Sequence, residues 1–200
     1  MVKLFRRFLI LLGLKKAKAT FLIVGLDNSG KTTLASVIKG EGGARLQGAF
    51  GNLQQGEPLN IEPTVGFRVQ NVVVSSRLRL TIVDMSGQQC YRELWETYYE
   101  DVQGILFVVD AADPKRFDEA KEALSSVVKH DELERKPLLL FSNKMDLRNA
   151  PTAAQVAKSV GMDDLGHHLS RAWRLQGCSA ITGEGVGDGL KWLISQVKTK

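Results

Sequence analysis

Residues 25–32 read Gly-Leu-Asp-Asn-Ser-Gly-Lys-Thr, and this octet decides how the rest of the chain is interpreted. It fits the pattern G-x-x-x-x-G-K-[ST] in full, and it follows an apolar run at 20–24 that is typical of a buried strand. A phosphate chain needs several inward-pointing backbone N–H groups, with glycine where a Cβ would prevent close approach. The octet therefore predicts a phosphate-binding loop between a strand and a helix. The alternative is a chance glycine turn.

The residues of this loop have separate predicted roles. A helix that begins near Lys31 would direct the positive end of its dipole toward the phosphates, and Lys31 would reach the β and γ oxygens. The Thr32 hydroxyl would bind Mg²⁺. The loop residues predicted to bind the nucleotide are Asp27, Asn28, Ser29, Gly30, Lys31, Thr32 and Thr33.

Composition limits the class of protein. The chain has 200 residues, 44% of them apolar and 24% charged, which indicates one globular domain that buries a core without disulfides. Two cysteines, Cys90 and Cys178, are too few for a disulfide framework and are interpreted as free thiols in the cytoplasm. The net charge of +5 comes largely from basic residues near the two ends, which favours an acidic membrane surface over nucleic acid as a partner.

Residues 2–12 have an amphipathic pattern. Leucine and phenylalanine occupy one side of a helical wheel, and Lys3, Arg6 and Arg7 fall together on the other. A signal peptide, a core helix and an interfacial membrane helix are three possible interpretations. The apolar run is too short to span a bilayer, and cleavage would deliver a nucleotide-binding strand to an oxidising compartment. We therefore predict that residues 1–17 form an interfacial helix and linker, with packing against the domain as the resting alternative.

A second unusual segment covers residues 40–62. It contains six glycines and few strong helix or strand formers. A structureless loop of this length inside a compact domain is usually either functional or disordered. A partner-binding role and a tolerated surface insertion both remain open.

Apolar runs alternate with helical patterns along the rest of the chain. Strands are expected near 20–24, 68–74, 78–83, 104–110, 137–141 and 173–176, and helices near 33–39, 90–100, 113–129, 152–160 and 189–197. This alternation predicts an α/β fold: a doubly wound, mostly parallel six-stranded sheet with helices on both faces and a ligand beyond the carboxyl ends of the strands. Aromatic side chains at helical spacing in 90–100 suit either the core or a partner surface.

The sequence Asn-Lys-Met-Asp at 143–146 is the second strong signal. The Asp146 carboxylate can accept hydrogen bonds from both the N1–H and the exocyclic amine of guanine, which adenine cannot offer. Asn143 would brace the loops, and the stem of Lys144 would lie along the base. In the Cys-Ser-Ala sequence at 178–180, Ser179 and Ala180 would close the pocket with a backbone N–H to the guanine oxygen.

Four motifs in one order carry a resemblance to the small GTPases, and within them to the Arf-like branch. They are the loop at 25–32, D-x-x-G-Q at 84–88, N-K-x-D at 143–146 and x-S-A at 178–180. Arf-like features are the octet itself, Pro-Thr-Val-Gly-Phe at 63–67, the strand at 104–110 and the amphipathic start. Residues 11–16 and 84–95 are most similar to Arf-like members that recruit the BBSome coat at cilia.

The resemblance implies a GTP/GDP-regulated membrane-trafficking switch that hydrolyses GTP slowly without an activating protein. It implies that Thr64 joins Thr32 on Mg²⁺ and binds the γ-phosphate, and that Asp84 holds the ion through water. The Gly87 N–H would contact the γ-phosphate, and Gln88 would be the catalytic residue that orients the attacking water. A GTP-binding scaffold with negligible hydrolysis is the alternative function, and N-K-x-D disfavours a phosphate-loop kinase or ATPase.

The implied partners follow from the same resemblance. They are a guanine nucleotide, an exchange factor, a GTPase-activating protein, an effector or coat complex such as the BBSome, and a membrane reached through the first helix. Nucleic acid is not expected, and the GTPase domain at 18–200 is expected to be a monomer that associates reversibly with membranes, including those at the cilium or basal body.

Three departures from the family pattern change what is expected. Val2 stands where relatives have a glycine, which excludes N-myristoylation by that route and leaves attachment to the helix. The glycine-rich insertion lengthens the first switch segment before Thr64. Val83 replaces an aromatic residue, which weakens the inference that Phe67 and Tyr98 belong to an effector surface.

Overall fold

The computed structural model describes residues 17–40, 62–75, 78–167 and 169–197. The amphipathic segment predicted as an interfacial helix, at residues 2–12, therefore lies outside the described residues. The interior of the glycine-rich insertion, residues 41–61, lies outside them as well.

One sheet organises the described chain. Its strands are β1 (Ala17–Val24), β2 (Phe67–Ser75), β3 (Leu78–Met85), β4 (Gly104–Asp110), β5 (Leu138–Asn143) and β6 (Trp173–Gly177). They lie in the order β2-β3-β1-β4-β5-β6, in which only the β2–β3 hairpin pairs antiparallel. This confirms the predicted doubly wound, mostly parallel six-stranded sheet.

Helices cover both faces of the sheet. They are α1 (Lys31–Lys39), α2 (Phe117–Lys129), α3 (Ala153–Ser159), α4 (Met162–His167) and α5 (Val186–Gln196). The apolar residues of α1 and α5 pack with one face in one core cluster, and those of α2 and α3 pack with the other face in a second cluster. Within the described ranges, no helix is both long and apolar enough to cross a membrane.

The central strands explain why the two clusters are separate. In β1, Phe21 and Ile23 belong to the cluster of α1 and α5, whereas Leu22 and Val24 belong to that of α2 and α3, as strand alternation requires. All six residues of β5 are buried, because helices cover both faces of this parallel strand, and its first four residues are apolar accordingly. The continuous apolar runs in the sequence therefore mark the middle of the sheet.

Two local expectations were wrong in detail. The segment expected as a helix at 90–100 is a 3-10 helix, Gln89–Tyr98, and α4 was not expected at all. The aromatic residues of this segment divide between two environments. Trp95 and Tyr99 are buried in the core, whereas Tyr91 and Tyr98 are only partly buried and the neighbouring Leu94 is exposed. The 3-10 helix thus packs one side on the domain and leaves the other side open.

Candidate functional site

The octet forms the turn between β1 and α1, at the carboxyl end of a central strand. Gly25 has φ +136°, and a Cβ there would overlap the carbonyl oxygen of Val108. Gly30 has φ +90°, and a Cβ there would overlap the amide nitrogen of Asn143. Both glycines are therefore required by left-handed backbone and by close contact with neighbouring strands. The helix begins at Lys31, as the pattern predicted.

Lys31 lies folded over its own loop. Its side chain is buried, and Nζ donates a hydrogen bond of 2.6 Å to the Leu26 carbonyl oxygen. Burial lowers the Lys31 pKa to about 8, although the Asp84 carboxylate opposes that shift. The ammonium therefore has one neutral acceptor and a weakly compensating carboxylate. It is poised to gain from an additional anion in the cleft that it lines.

Three oxygen-bearing side chains meet beside Lys31. The Thr32 hydroxyl donates to Asp84 Oδ2 at 2.8 Å and lies 2.8 Å from the Thr64 hydroxyl, which also reaches Asp84 Oδ2 at 3.4 Å. Asp84 is fully buried, and its Oδ1 has no hydrogen-bond partner among the described residues. Desolvation accordingly raises the Asp84 pKa. Hydroxyl and carboxylate oxygens are the ligand types that Mg²⁺ prefers, so the donor set fits that ion.

An open cleft of about 400 Å³ lies in front of these groups. It brings together residues from the phosphate loop, from the segment before β2, from the end of β3 and from the loop after β5. Of the residues predicted from sequence, those that line it are Asp27, Asn28, Gly30, Lys31, Thr32, Thr33, Thr64, Gly87, Gln88 and Lys144. Ser29 is buried within the loop, and its hydroxyl has no hydrogen-bond partner in the part of the chain that the structure describes.

The segment after β3 presses against the phosphate loop. A Cβ on Gly87 would overlap the backbone of Leu26 and Asp27, so this glycine is needed for close approach. The Ser86 N–H donates to the Gly66 carbonyl oxygen at 2.8 Å, which joins the segment to the start of the hairpin. Gln88 follows, half-buried, at the rim of the cleft.

Asn143 ties the loop after β5 to the phosphate loop. Its Nδ2 donates to the Ser29 carbonyl oxygen at 2.8 Å, and its Oδ1 accepts from the Ala180 N–H at 2.9 Å. The side chain is 1% exposed, so both bonds are shielded from water. The bracing position expected of Asn143 is thus seen directly in the contacts.

The loop after β6 has most of its backbone N–H groups engaged within the chain. The N–H groups of Cys178, Ser179 and Ala180 donate within the chain, to the Ser142 carbonyl, the Glu184 carbonyl and Asn143 Oδ1. The next N–H, that of Ile181, donates to no acceptor among the described residues. Ile181 was missed because its apolar side chain carries no signal for a backbone contact.

Lys144 and Asp146, in the loop after β5, are the other two residues predicted to contact the base. Lys144 has φ +66° and pairs through Nζ with Asp110 Oδ2 at 2.7 Å. Asp146 is exposed, and its carboxylate has no hydrogen bond or ion pair among the described residues. Two acceptor oxygens are therefore available beside the loop that contains Ile181.

Sequence reasoning also missed a row of alternating charges. Arg116 pairs with Asp27 at 2.7 Å and with Glu119 at 2.8 Å, and Glu119 also pairs with Arg92. Hydrogen bonds from the two arginines, Arg116 first, lower the Glu119 pKa to about 2, and the bond from Arg116 lowers that of Asp27. No pattern in the sequence connects these residues, which lie on three separate segments.

An exposed apolar surface lies beside the cleft. The rings of Phe67 and Tyr98 meet edge to face with centroids 5.1 Å apart, and Phe67 is 46% exposed. Val65 is also exposed, whereas Val83 is buried. The aromatic pair therefore forms without a contribution from position 83.

Comparisons with known proteins agree with this geometry. The model of the ADP-ribosylation factor family matches residues 5–197. ADP-ribosylation factor-like protein 6 of Danio rerio is 39% identical over 189 residues, which cover 94% of this chain and 92% of that protein. ADP-ribosylation factor-like protein 3 of Caenorhabditis elegans is 34% identical over 177 residues, 88% of this chain and 86% of that protein.

A solved structure extends the likeness to three dimensions. The Arl6 BBS3 small GTPase from Trypanosoma brucei, with bound nucleotide analogue GppNp, superposes with a TM-score of 0.74 at 30% identity, covering 89% of this chain and 96% of that one. The fold and the cleft are those of a small GTPase, a class that binds GTP and GDP and hydrolyses GTP. The chain belongs to the ADP-ribosylation factor family.

Proposed function

We propose that this GTPase is a GTP/GDP-regulated switch that recruits an effector or coat to a membrane. The observation that carries the proposal is the meeting of the Thr32 and Thr64 hydroxyls on Asp84. Thr32 belongs to the fixed phosphate loop, whereas Thr64 belongs to the segment that leads into β2. A ligand that holds both hydroxyls therefore acts on the position of the hairpin.

The phosphates of the nucleotide are assigned to the loop at 25–33. Lys31 replaces its bond to the Leu26 carbonyl with contacts to the β and γ oxygens, while Asp27, Asn28, Ser29, Gly30, Thr32 and Thr33 surround them with backbone N–H groups and hydroxyls. Thr32 and Thr64 would hold Mg²⁺, with Asp84 behind them. When bound, the ion supplies neutralisation of phosphate charge.

The base is assigned to the loops after β5 and β6. Asp146 accepts two hydrogen bonds from guanine, and the stem of Lys144 lies along the ring. Asn143 keeps both loops against the phosphate loop. Because the N–H groups of Ser179 and Ala180 already have acceptors, we assign the donor to the guanine oxygen to Ile181, with Ser179 and Ala180 forming the wall beside it.

Hydrolysis is assigned to Gln88 and Gly87. Gln88 orients the attacking water, and the Gly87 N–H contacts the γ-phosphate, so the protein contributes positioning and charge stabilisation. Loss of the γ-phosphate then frees Thr64 and Gly87 together. The switch operates to the extent that GTP and GDP bind the two arrangements with different affinity.

The effector surface is assigned to Phe67 and Tyr98, since their exposed ring pair lies at the start of the hairpin that Thr64 controls. We propose the BBSome at the cilium or basal body as the coat. The 39% identity to ADP-ribosylation factor-like protein 6 supports that choice. The amphipathic segment at 2–12 is the proposed membrane contact, and residues 18–200 are the proposed GTPase domain.

The nucleotide experiment comes first. Purified protein is tested for binding of fluorescent GTP and ATP analogues with and without Mg²⁺, and for single-turnover hydrolysis of preloaded GTP. We expect guanine preference, tighter binding with Mg²⁺, and a large fall in activator-stimulated hydrolysis for Gln88→Leu. Gln89→Leu, the next residue and an exposed one, is the matched control. Equal hydrolysis by Gln88→Leu and the control would remove Gln88 from catalysis.

A membrane experiment tests the proposed contact of residues 2–12 with lipid. Full-length protein and a variant lacking residues 2–14 are sedimented with acidic liposomes in the presence of GDP or a non-hydrolysable GTP analogue. We expect sedimentation only for the full chain with the GTP analogue. Equal sedimentation of the deletion variant would contradict the assignment of the first segment.

A further inference from the structure

The two peptide groups on either side of Gly87 are each held by a side chain of the 3-10 helix Gln89–Tyr98. Trp95 Nε1 donates to the Ser86 carbonyl oxygen at 2.9 Å, and Arg92 Nε donates to the Gly87 carbonyl oxygen at 3.1 Å. Because a peptide group is planar, a fixed carbonyl also fixes the N–H across the same bond. Trp95 therefore sets the direction of the Gly87 N–H. Arg92 sets the direction of the Gln88 N–H and the position of the backbone from which the Gln88 side chain extends.

Arg92 is itself held on its far side. Its Nη2 donates to one carboxylate oxygen of Glu119, in α2, and the other oxygen of Glu119 accepts from Arg116 Nε at 2.8 Å. The guanidinium of Arg92 therefore bridges a carboxylate and a backbone carbonyl with two different nitrogens. A planar fork with fixed donor directions can do this, whereas a single ammonium cannot hold both acceptors in the same geometry.

Arg116 continues the row to the phosphate loop. Its Nη2 pairs with Asp27 Oδ1 at 2.7 Å, and its Nη1 donates to the Asp27 carbonyl oxygen at 3.1 Å. Gly87 in turn packs directly on the backbone of Asp27. The contacts therefore close a ring that runs from Asp27 through Arg116, Glu119 and Arg92 to Gly87 and back to Asp27.

The ion pairs of this ring contribute little to the stability of the fold. Its four charged side chains are 19% to 46% exposed, and ion pairs at such exposure contribute about 0–1 kcal/mol each. Their charges alternate and sum to zero, so they add no net charge beside the cleft. What the ring supplies is a fixed distance and direction between the phosphate loop and the Gly87–Gln88 peptide.

We propose that Arg92, anchored through Glu119 and Arg116 to Asp27 of the phosphate loop, is a positioning residue that orients the Gly87–Gln88 peptide for GTP hydrolysis. This inference rests on the proposed roles of Gly87 and Gln88. It adds that contacts with α2, and not the nucleotide alone, align the Gly87–Gln88 peptide that follows β3.

The test compares three variants with one control. Glu119→Gln removes the charge that holds Arg92. Arg92→Glu breaks the pair, and Arg92→Lys keeps a positive charge beside Glu119 but cannot hold Glu119 and the Gly87 carbonyl in the same geometry. Asp188→Asn is the control, because it neutralises a carboxylate paired with Lys191 on α5, far from the ring.

Each variant is measured in three ways. The full chain is preloaded with GTP for single-turnover hydrolysis, its melting temperature is recorded in the GDP form, and the amide signals of Gly87 and Gln88 are followed by NMR with a non-hydrolysable GTP analogue. The wild-type rate and the Gln88→Leu variant are measured alongside. A wild-type protein that does not hydrolyse GTP, or an unaffected Gln88→Leu variant, would contradict the proposed function, separately from the result for Arg92.

We expect Glu119→Gln and Arg92→Glu to lower hydrolysis about tenfold and to shift the Gln88 amide signal, while Asp188→Asn does neither. Arg92→Lys should keep the melting temperature of the wild type but not its rate or its amide signal. A wild-type rate in Arg92→Lys would overturn the proposal, since a positive charge beside Glu119 would then suffice without the hydrogen bond to the Gly87 carbonyl. Unchanged hydrolysis and an unchanged amide signal in Arg92→Glu would overturn it as well.

Discussion

The two halves of the cleft are built in different ways. The base half, residues 143–146 and 178–181, is held by a buried amide and by backbone bonds, with Asn143 joining Ser29 and Ala180. The phosphate half, residues 25–33, 62–67 and 84–98, contains buried groups that lack good partners. Asp84 has one oxygen without a partner, and Lys31 has a neutral carbonyl as its acceptor.

This difference separates recognition from switching. Neutral amide bonds shielded from water keep their geometry whether or not a ligand is present, so the base half is preorganised. A buried carboxylate and ammonium without full compensation raise the free energy of the unliganded protein, and a ligand that supplies the missing charges relieves that cost. We therefore propose that the phosphate half responds to whether the terminal phosphate is present and that the base half does not.

The largest expected effect is on recognition in the base half. Asp146→Asn replaces an acceptor of two hydrogen bonds with a group that presents one donor, so GTP affinity should fall about 100-fold and xanthosine nucleotides should bind in its place. Competition between GTP and XTP measures this. Asp163→Asn, an exposed carboxylate on α4, is the control. Unchanged guanine preference would remove Asp146 from base selection.

The next effect tests whether the base half is preorganised by Asn143. Asn143→Ala leaves buried partners at Ser29 and Ala180 without their bonds, and the free energy of unfolding should fall by about 2–3 kcal/mol. Urea denaturation of the GDP form gives the value. Asn71→Ala, which loses an exposed bond to Thr81, should change it by less than about 0.5 kcal/mol. Equal losses for the two variants would mean that Asn143 braces nothing.

In the phosphate half, removal of a buried polar group should not destabilise the unliganded protein. Asp84→Asn removes a buried charge whose pKa is raised by desolvation, so the unliganded protein should be as stable as the wild type or more stable. Nucleotide affinity in Mg²⁺ should nevertheless fall about tenfold, because the carboxylate behind the two threonines is lost. Thermal melts with and without Mg²⁺ and GDP separate the two effects. Destabilisation of the unliganded protein would contradict the contrast between the halves.

The smallest effect concerns pH. Burial lowers the Lys31 pKa to about 8 in the unliganded protein, and bound phosphates would raise it, so binding takes up a proton. GTP affinity should be full below about pH 7 and fall about threefold between pH 7.5 and 8.5. Titration calorimetry in two buffers of different ionisation enthalpy measures the proton uptake. In Lys31→Arg, whose guanidinium does not titrate, the pH dependence of GTP affinity should disappear. A pH dependence that persists in this variant would have to come from another titrating group.

Many of the features that form the two halves of the cleft could be predicted from sequence. The octet requires glycine at two positions for backbone reasons, so its loop and the start of α1 follow from local chemistry alone. The continuous apolar runs of β4 and β5 fixed the middle of the sheet. Asn143 was expected to brace the loops as part of the Asn-Lys-Met-Asp sequence, and its amide has the donor and the acceptor that this requires.

Other parts depend on contacts between residues far apart in the chain. Arg116 and Asp27 are 89 residues apart, and nothing in either segment indicates the other. Gln89–Tyr98 has the aromatic spacing of an α-helix, but α and 3-10 helices differ too little in periodicity for a ten-residue pattern to separate them. The use of backbone N–H groups at 178–181 depends on which acceptors the fold brings near, and side-chain identity does not reveal that.

Hydrogen exchange tests the contrast between the halves most directly. Amide exchange of the full chain is compared by mass spectrometry in the GDP form and in a form with a non-hydrolysable GTP analogue. We predict added protection in residues 62–75 and 84–98 when the terminal phosphate is present, with residues 138–146 and 173–181 unchanged. Equal changes in both halves, or none in either, would contradict a preorganised base half and a phosphate half that the ligand completes.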